Sequence, residues 1–334
     1  RGVKHIKDDI KTIEKNDEGI QSLNENYKAD LYFDCTGFKS LLLDKTLNEE
    51  FESYSDMLPN NSAWATRVPY NKKKEDINCY TNCTAIENGW VWQIPLWSRW
   101  GTGYVYSDKF VDDETALKEF KNHLDKKGQD YSNAEFKNIK MRVGIHKRLW
   151  VKNVVAVGLA AGFIEPLESN GLFSVHEFLM RFIRNAQRDI ITQWDRDNYT
   201  FQCKKLFRNF AEFVAMHYAF SNRNDTEYWK EASSHKRWSP QLMEKLAMWQ
   251  TRTPRLVDFA RGNRNDFYHI DDNLWLNISQ GMNILDRDMV KRELKEYNLY
   301  ESSKHQTKHA LEFFNYAQKN CVKTNDYYKH YVGQ

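Results

Sequence analysis

Two glutamates lie among small residues in the fifteen positions Gly158–Leu172, GLAAGFIEPLESNGL. Glu168 is the side chain there best suited to chemistry, because a held carboxylate can take up or return a proton at a reacting centre. Asn170 and Gly171 follow it where a helix is expected to start, and the first amides of a helix have no partners inside it. Those amides, with the positive end of the helix dipole, suit a small anion. A carboxylate beside such a place is repelled unless it is protonated or paired with a cation. Reaction sites often contain that conflict. Gly158 and Gly162, with Ala160 and Ala161, leave a nearly bare backbone that a flat cofactor or a phosphate arm can approach. The same stretch also reads as a strand–helix connection that needs glycine for packing, and residue types alone leave both readings open.

The second group is GWVWQIPLW, Gly89–Trp97. Strand alternation puts Trp90, Trp92 and Ile94 on one face, and Pro95 ends the run. Two indoles and an isoleucine side by side make a rigid wall that excludes water, which serves as ordinary core or as an aromatic platform. His305 and His309 have the i,i+4 spacing of zinc ligands, but the glutamate of H-E-x-x-H and a third ligand are lacking, so they read as a solvated helix face and no metal site is expected. His176 reads as a packed or solvent-facing residue. Trp229, Trp238, Trp249 and Trp275 fill helix interfaces in preference to lining an indole-sized pocket.

The elements that must position these residues follow from patterning. A turn at Asn16–Gly19 joins short strands, a buried strand is expected over Asp30–Cys35, and a small-residue loop follows at Thr36–Gly37. Antiparallel strands are expected over NSAWATRVPY and from Asn78 to Ser107, with a turn at Asn88–Gly89. Asp112 to about Lys127 is a helix opened by DDET. Lys152–Gly158, KNVVAVG, is a buried strand of the parallel kind. The helix after the glycine-rich turn carries Leu172, Val175, Leu179, Phe182 and Ile183 at helical spacing, and long helices are expected from about Phe201 onward.

The 334 residues suffice for a large core. With 49 Lys+Arg against 46 Asp+Glu, the net charge of +3 gives no strong attraction to nucleic acid or to a membrane surface. Runs of mixed sign, such as Asn71–Asp76, read as solvated faces. Five scattered cysteines show no zinc spacing, and no apolar run of about 18 residues or signal peptide is visible. A reducing cytoplasm is the expected compartment.

W-x-W-x-I-P (Trp90–Pro95) followed by G-x-A-A-G-F-x-E-P-L-E-S (Gly158–Ser169) resembles the flavin-dependent halogenases that act on tryptophan and related aromatics. DLYFDCTGFKSLL (Asp30–Leu42) resembles their second flavin-contacting strand and loop, and HYAFSNRNDTEYWKE (His217–Glu231) their helical C-terminal portion. The resemblance implies an α/β fold of the flavin monooxygenase type, with a Rossmann-type FAD-binding core, an antiparallel sheet and a helical C-terminal part. It puts the truncated flavin domain at residues 1–195, including a substrate-side sheet at 60–107, and the helical region at 196–334. It implies that reduced FAD, oxygen and a halide give hypohalous acid, which travels to a separate pocket and halogenates an indole-like substrate.

Under the same resemblance Glu168 is the active-site glutamate, and the amides of Asn170 and Gly171 hold the halide. Thr36, Gly37, Gly158, Leu159, Gly162 and Leu172 border the flavin. Trp90, Trp92, Ile94 and Pro95 separate flavin from substrate. A separate flavin reductase supplies reduced FAD, and the helical part offers surface for a homo-oligomer. The family usually has Thr where this chain has Asn170. No G-x-G-x-x-G occurs, and GTGYVY (Gly101–Tyr106) has only its first two glycines. The fingerprint and the family's catalytic lysine are expected before Arg1, so the chain reads as a C-terminal portion that binds flavin poorly and is inactive by itself. The alternatives are a flavin-dependent aromatic hydroxylase and a non-catalytic binding module.

Overall fold

The computed structural model describes residues 2–70, 77–252 and 272–331, so the charged run Asn71–Asp76 lies outside the described residues. The chain divides into two compact units, Arg1–Leu58 with Met141–Ala211, and Pro59–Lys140 with Glu212–Gln334. Strands β1 (Ile13–Asn16), β2 (Gly19–Leu23), β3 (Tyr32–Asp34) and β4 (Phe51–Ser53) open the first unit. The second begins with β5 (Ser62–Pro69), β6 (Asn82–Ile86), β7 (Gly89–Pro95), β8 (Arg99–Tyr106), helix α1 (Asp113–Lys126) and β9 (Lys137–Lys140). Strands β10 (Gly144–His146), β11 (Trp150–Val151), β12 (Val154–Ala156) and β13 (Gly162–Phe163), then α2 (Asn170–Asn185) and most of α3 (Gln193–Ala219), belong to the first unit. The second ends with α4 (Glu227–Ala232), α5 (Pro240–Trp249), α6 (Asp272–Gly281), α7 (Arg287–Glu296), α8 (Tyr300–Asn320) and α9 (Thr324–Tyr331).

This partition differs from a boundary at residue 195, because the antiparallel sheet belongs with the C-terminal helices. Its order is β6-β7-β8-β5-β9. One face packs Val91, Tyr104 and Tyr106 against Ala116, Phe120 and Leu124 of α1. Alternation turns Trp90 to the other face, where its Nε1 donates to the Tyr218 hydroxyl at 2.9 Å, and Trp229 Nε1 donates to the Ile86 carbonyl at 2.7 Å. Helix α1 starts where its acids predict, with Asp112 accepting from the Thr115 amide at 2.8 Å. Ile86 pairs with Gly89, so the two-residue loop is Glu87–Asn88, one residue before the expected turn. The glycine serves close approach instead, since a Cβ on Gly89 would lie 1.9 Å from the Val105 carbonyl oxygen.

In the first unit β12 runs parallel to β3, pairing Val155 with Phe33 and Ala156 with Asp34. The strand expected over Asp30–Cys35 is shorter, and it is not buried throughout, since Phe33 is 41% exposed. Helix α2 inverts its pattern: Leu172, Leu179 and Ile183 are exposed, while Asn170, Ser174, Phe178, Arg181 and Asn185 face inward. The polar inward residues make local contacts. Arg181 pairs with Glu177, and the Asn185 amide donates to the Arg181 carbonyl at 2.9 Å. Phe182 alone of the expected stripe sits among rings, 4.9 Å from Phe33 and 5.0 Å from Trp150.

Buried His146 lies between the Arg142 guanidinium, 3.1 Å from Nε2, and the Glu49 carbonyl, 3.2 Å from Nδ1. Burial, then the Arg142 charge, push its pKa down. The neutral folded ring therefore contributes stability in full above the unfolded value of about 6.5, and that contribution declines as pH falls below it. We expect the melting temperature of the protein to fall between pH 7 and 5, and the fall to be shallower in His146→Gln. Equal slopes in thermal scans would refute this.

Candidate functional site

In the first unit the chain leaves β12 and enters the turn Gly158–Ala160, a single 3-10 turn that needs Gly158 at φ +66°. Gly158, Leu159, Gly162, Asn170, Gly171 and Leu172 line one cavity of about 270 Å³. Its remaining wall is mostly apolar, with Phe163, Val175, Phe178 and Phe207. The Thr36–Gly37 loop joins the same turn: Ser40 Oγ donates to the Ala160 carbonyl at 2.9 Å, and Phe38 lies 5.3 Å from Phe163. Buried Asp34 fixes that loop by accepting from the amides of Thr36, Leu42 and Leu43 at 2.8–3.0 Å and from Thr36 Oγ1 at 2.7 Å. Four of the six cofactor-contact candidates, Thr36, Gly37, Gly158 and Leu159, therefore belong to two turns held against each other, while Gly162 lies in β13 and Leu172 in α2.

The backbone here leaves room for the close approach of a flat ring. The space beside a Cβ on Gly37 or Gly171 is open to at least 4 Å, and at Gly158 only Val175 comes as close as 3.4 Å. The bare stretch is narrower than the composition suggests. Ala160 and Ala161 are buried, and a Cβ on Gly162 would meet the Gly144 carbonyl oxygen at 2.5 Å, so Gly162 also serves strand packing.

Glu168 ends the 3-10 turn Pro166–Glu168 and is half-buried. Ser169 follows at φ +53°, in the left-handed region that L-residues enter at a cost. Helix α2 then begins with no side-chain cap and no acid in its first turn, and its dipole end and first amides lie at the cavity wall at Asn170 and Gly171. Sequence reasoning passed over Glu165, which is fully buried and whose carbonyl accepts from Asn170 Nδ2 at 3.1 Å. It also passed over Ser174, which donates to the Asn170 carbonyl at 2.7 Å. The i,i+4 spacing of Asn170 and Ser174 was the available signal.

The indole pair lies in the second unit. Trp90 is buried, Trp92 is half-buried, and their rings are 6.2 Å apart at 59°. Ile94 shares their face but is 41% exposed, and Pro95 closes the strand opposite Trp100. GTGYVY is not part of a phosphate loop. It is strand β8, and a Cβ on Gly103 would lie 2.2 Å from the Trp92 ring. Glycine there lets the indole lie flat on the sheet. Tyr218 ties Trp90 further, because its hydroxyl also accepts from Asn60 Nδ2 at 2.9 Å.

Trp229, Trp249 and Trp275 are buried in helix interfaces, with Trp275 5.0 Å from Phe213 and 6.0 Å from Trp249. His176, His305 and His309 are exposed. Among the described residues no group of three or more His, Cys, Asp or Glu is placed to hold a metal ion, and no helix is long and apolar enough to cross a membrane.

Residues 1–299 match the tryptophan halogenase family. Over 259 residues the chain is 35% identical to tryptophan 6-halogenase SttH of Streptomyces toxytricini, covering 76% of this chain and 49% of that protein. It is 33% identical to tryptophan 7-halogenase RebH of Lentzea aerocolonigenes, covering 75% and 47%. The fold superposes on Tar14, a tryptophan C-6 flavin-dependent halogenase from taromycin biosynthesis, with a TM-score of 0.87 and 31% identity, covering 98% of this chain and 64% of that one. Against the apo structure of VirX1 the TM-score is 0.81 at 35% identity, covering 99% and 65%. The chain spans about half the length of the curated relatives it matches. On the family match and these superpositions, the chain belongs to the flavin-dependent tryptophan halogenases.

Proposed function

We propose that this chain carries the halide, carboxylate and indole machinery of a halogenase that places a halogen on the ring of tryptophan or a related indole. The observation that carries the reading is the single cavity shared by the Gly158 turn and the uncapped start of α2. Reduced FAD, when bound with oxygen, supplies the oxidising equivalents that turn halide into hypohalous acid. The backbone at Gly37 and Gly158 gives the cofactor close approach, and Leu159 and Leu172 border its ring. The amides of Asn170 and Gly171 hold the halide by the helix-terminus effect. The apolar walls keep water from the oxidant. To Trp90 and Trp92 the reading assigns the partition between oxidant and substrate, with Trp90 fixed in its own unit by its bond to Tyr218.

In the substitution itself the carbon–halogen bond forms as the halogen–oxygen bond of hypohalous acid breaks. The ring proton leaves to the Glu168 carboxylate, which passes it to the departing hydroxide, so that the oxygen leaves as water. A separate flavin reductase as the source of reduced FAD completes the proposal. The test is mass spectrometry of products from the full-length natural protein with reduced FAD, oxygen, bromide and tryptophan. Bromotryptophan supports the reading, and hydroxytryptophan without bromine makes the protein a hydroxylase. No modified product refutes both.

A further inference from the structure

The Asn170 side chain points back along the chain. Its Nδ2 donates to the Glu165 carbonyl five residues earlier, at 3.1 Å, while the main-chain carbonyl of Asn170 accepts from Ser174 Oγ at 2.7 Å. Asn170 is buried, so this bond is sheltered from competing water. Between its two ends lie the Pro166–Glu168 turn and Ser169. Ser169 sits in the left-handed region, its amide makes only a long 3.3 Å bond to the Pro166 carbonyl, and α2 has no side-chain cap. A strained residue persists only where its surroundings over-determine it. Here the Asn170–Glu165 bond closes the loop from which Glu168 projects.

We propose that Asn170 is a positioning residue: by tying the start of α2 to the Glu165 carbonyl, it holds the Glu168 carboxylate in place. The inference rests on the reading of Glu168 as the acid–base group of the halogenation. Asn170 therefore acts through its side chain on the carboxylate, apart from anything its backbone amide does for a halide. A side chain without a donor at this reach releases the turn and lets Ser169 relax toward an ordinary conformation. A misplacement of about 1 Å at a reacting group costs up to about a hundredfold in rate.

Asn170→Asp tests this, because it keeps the shape and removes the donor, and Asn170→Ser is a second variant should the added charge unfold the loop. The first measurement needs no turnover. Amide hydrogen exchange over residues 165–172 of this chain is expected to speed up by at least about tenfold in both variants, with α1 exchanging as before. Unchanged exchange at 165–172, or a speed-up that extends equally to α1, overturns the tie.

The second measurement is halogenation by the full-length natural protein. Asn170→Asp is expected to lower kcat by about tenfold to a hundredfold while KM for tryptophan changes by less than about twofold. In a Glu168→Gln background the same substitution is expected to lower kcat no further, since the group it positions is already disabled. An equal loss in both backgrounds makes Asn170 merely structural and overturns the proposal. If the unmodified protein halogenates nothing, the functional reading fails, and the exchange measurement still decides whether the tie holds the turn.

Discussion

In the full-length natural protein, Glu168→Gln is expected to lower halogenated product by about 10²–10⁴-fold, the usual contribution of a positioned acid–base group, while reduced FAD is still consumed and peroxide is still released. Gln keeps the size of the side chain and its place at the end of the Pro166–Glu168 turn, so the cavity and the start of α2 stay as they are. What is lost is the ability to accept a proton and to bear negative charge beside a cationic ring. Product is read by mass spectrometry and peroxide by a coupled assay on the same samples. Unchanged product would falsify the role of Glu168. Product and flavin consumption falling together would mean that the substitution damages the cavity instead of the proton transfer.

Asp34→Ala lowers the stability of the protein by about 3 kcal/mol or more, because buried donors stranded without partners cost about 1–3 kcal/mol each. Three backbone amides and one hydroxyl converge on this buried carboxylate. It is also the last residue of β3, so its loss frees the Thr36–Gly37 loop from the strand that aims it. A loss of that size lowers the melting temperature by roughly 4 °C or more in a chain of 334 residues. Asp34→Asn, which keeps one acceptor, should lose less. A melting temperature within about 2 °C of the parent would show that the network is not holding the loop. FAD affinity should weaken in step with the melting shift, since the loop and the Gly158 turn share the Ser40–Ala160 hydrogen bond.

Much of the candidate site could be read from residue order because its parts are local. The strand, the glycine turn and the following helix lie within Val154–Asn185, and Asp112 caps α1 through a contact three residues away. Such signals survive without knowledge of the fold, since each depends on backbone conformation within a few residues. Helix α2 shows the limit. Its apolar spacing identified a helix correctly, yet the stripe at Leu172, Leu179 and Ile183 is exposed and a row containing Asn170, Ser174 and Arg181 faces inward. Periodicity reports that a helix has two faces. Which face is buried depends on partners distant in sequence, such as Phe207 beside Phe178.

The sequence by itself determined the chemistry on offer: a carboxylate, two amides at a helix start, small residues in a turn, and a pair of indoles on one strand face. Tertiary structure alone decided the uses of the glycines. Gly37 and Gly171 border open space and Gly158 meets only Val175, while Gly89, Gly103 and Gly162 make room for backbone or an indole ring. It also decided that the antiparallel sheet belongs with the C-terminal helices, through Trp90 and Tyr218, 128 residues apart. The physical reason is the same in each case. A residue's type sets which interactions it can make, but which of them are made depends on what long-range packing brings within a few ångströms.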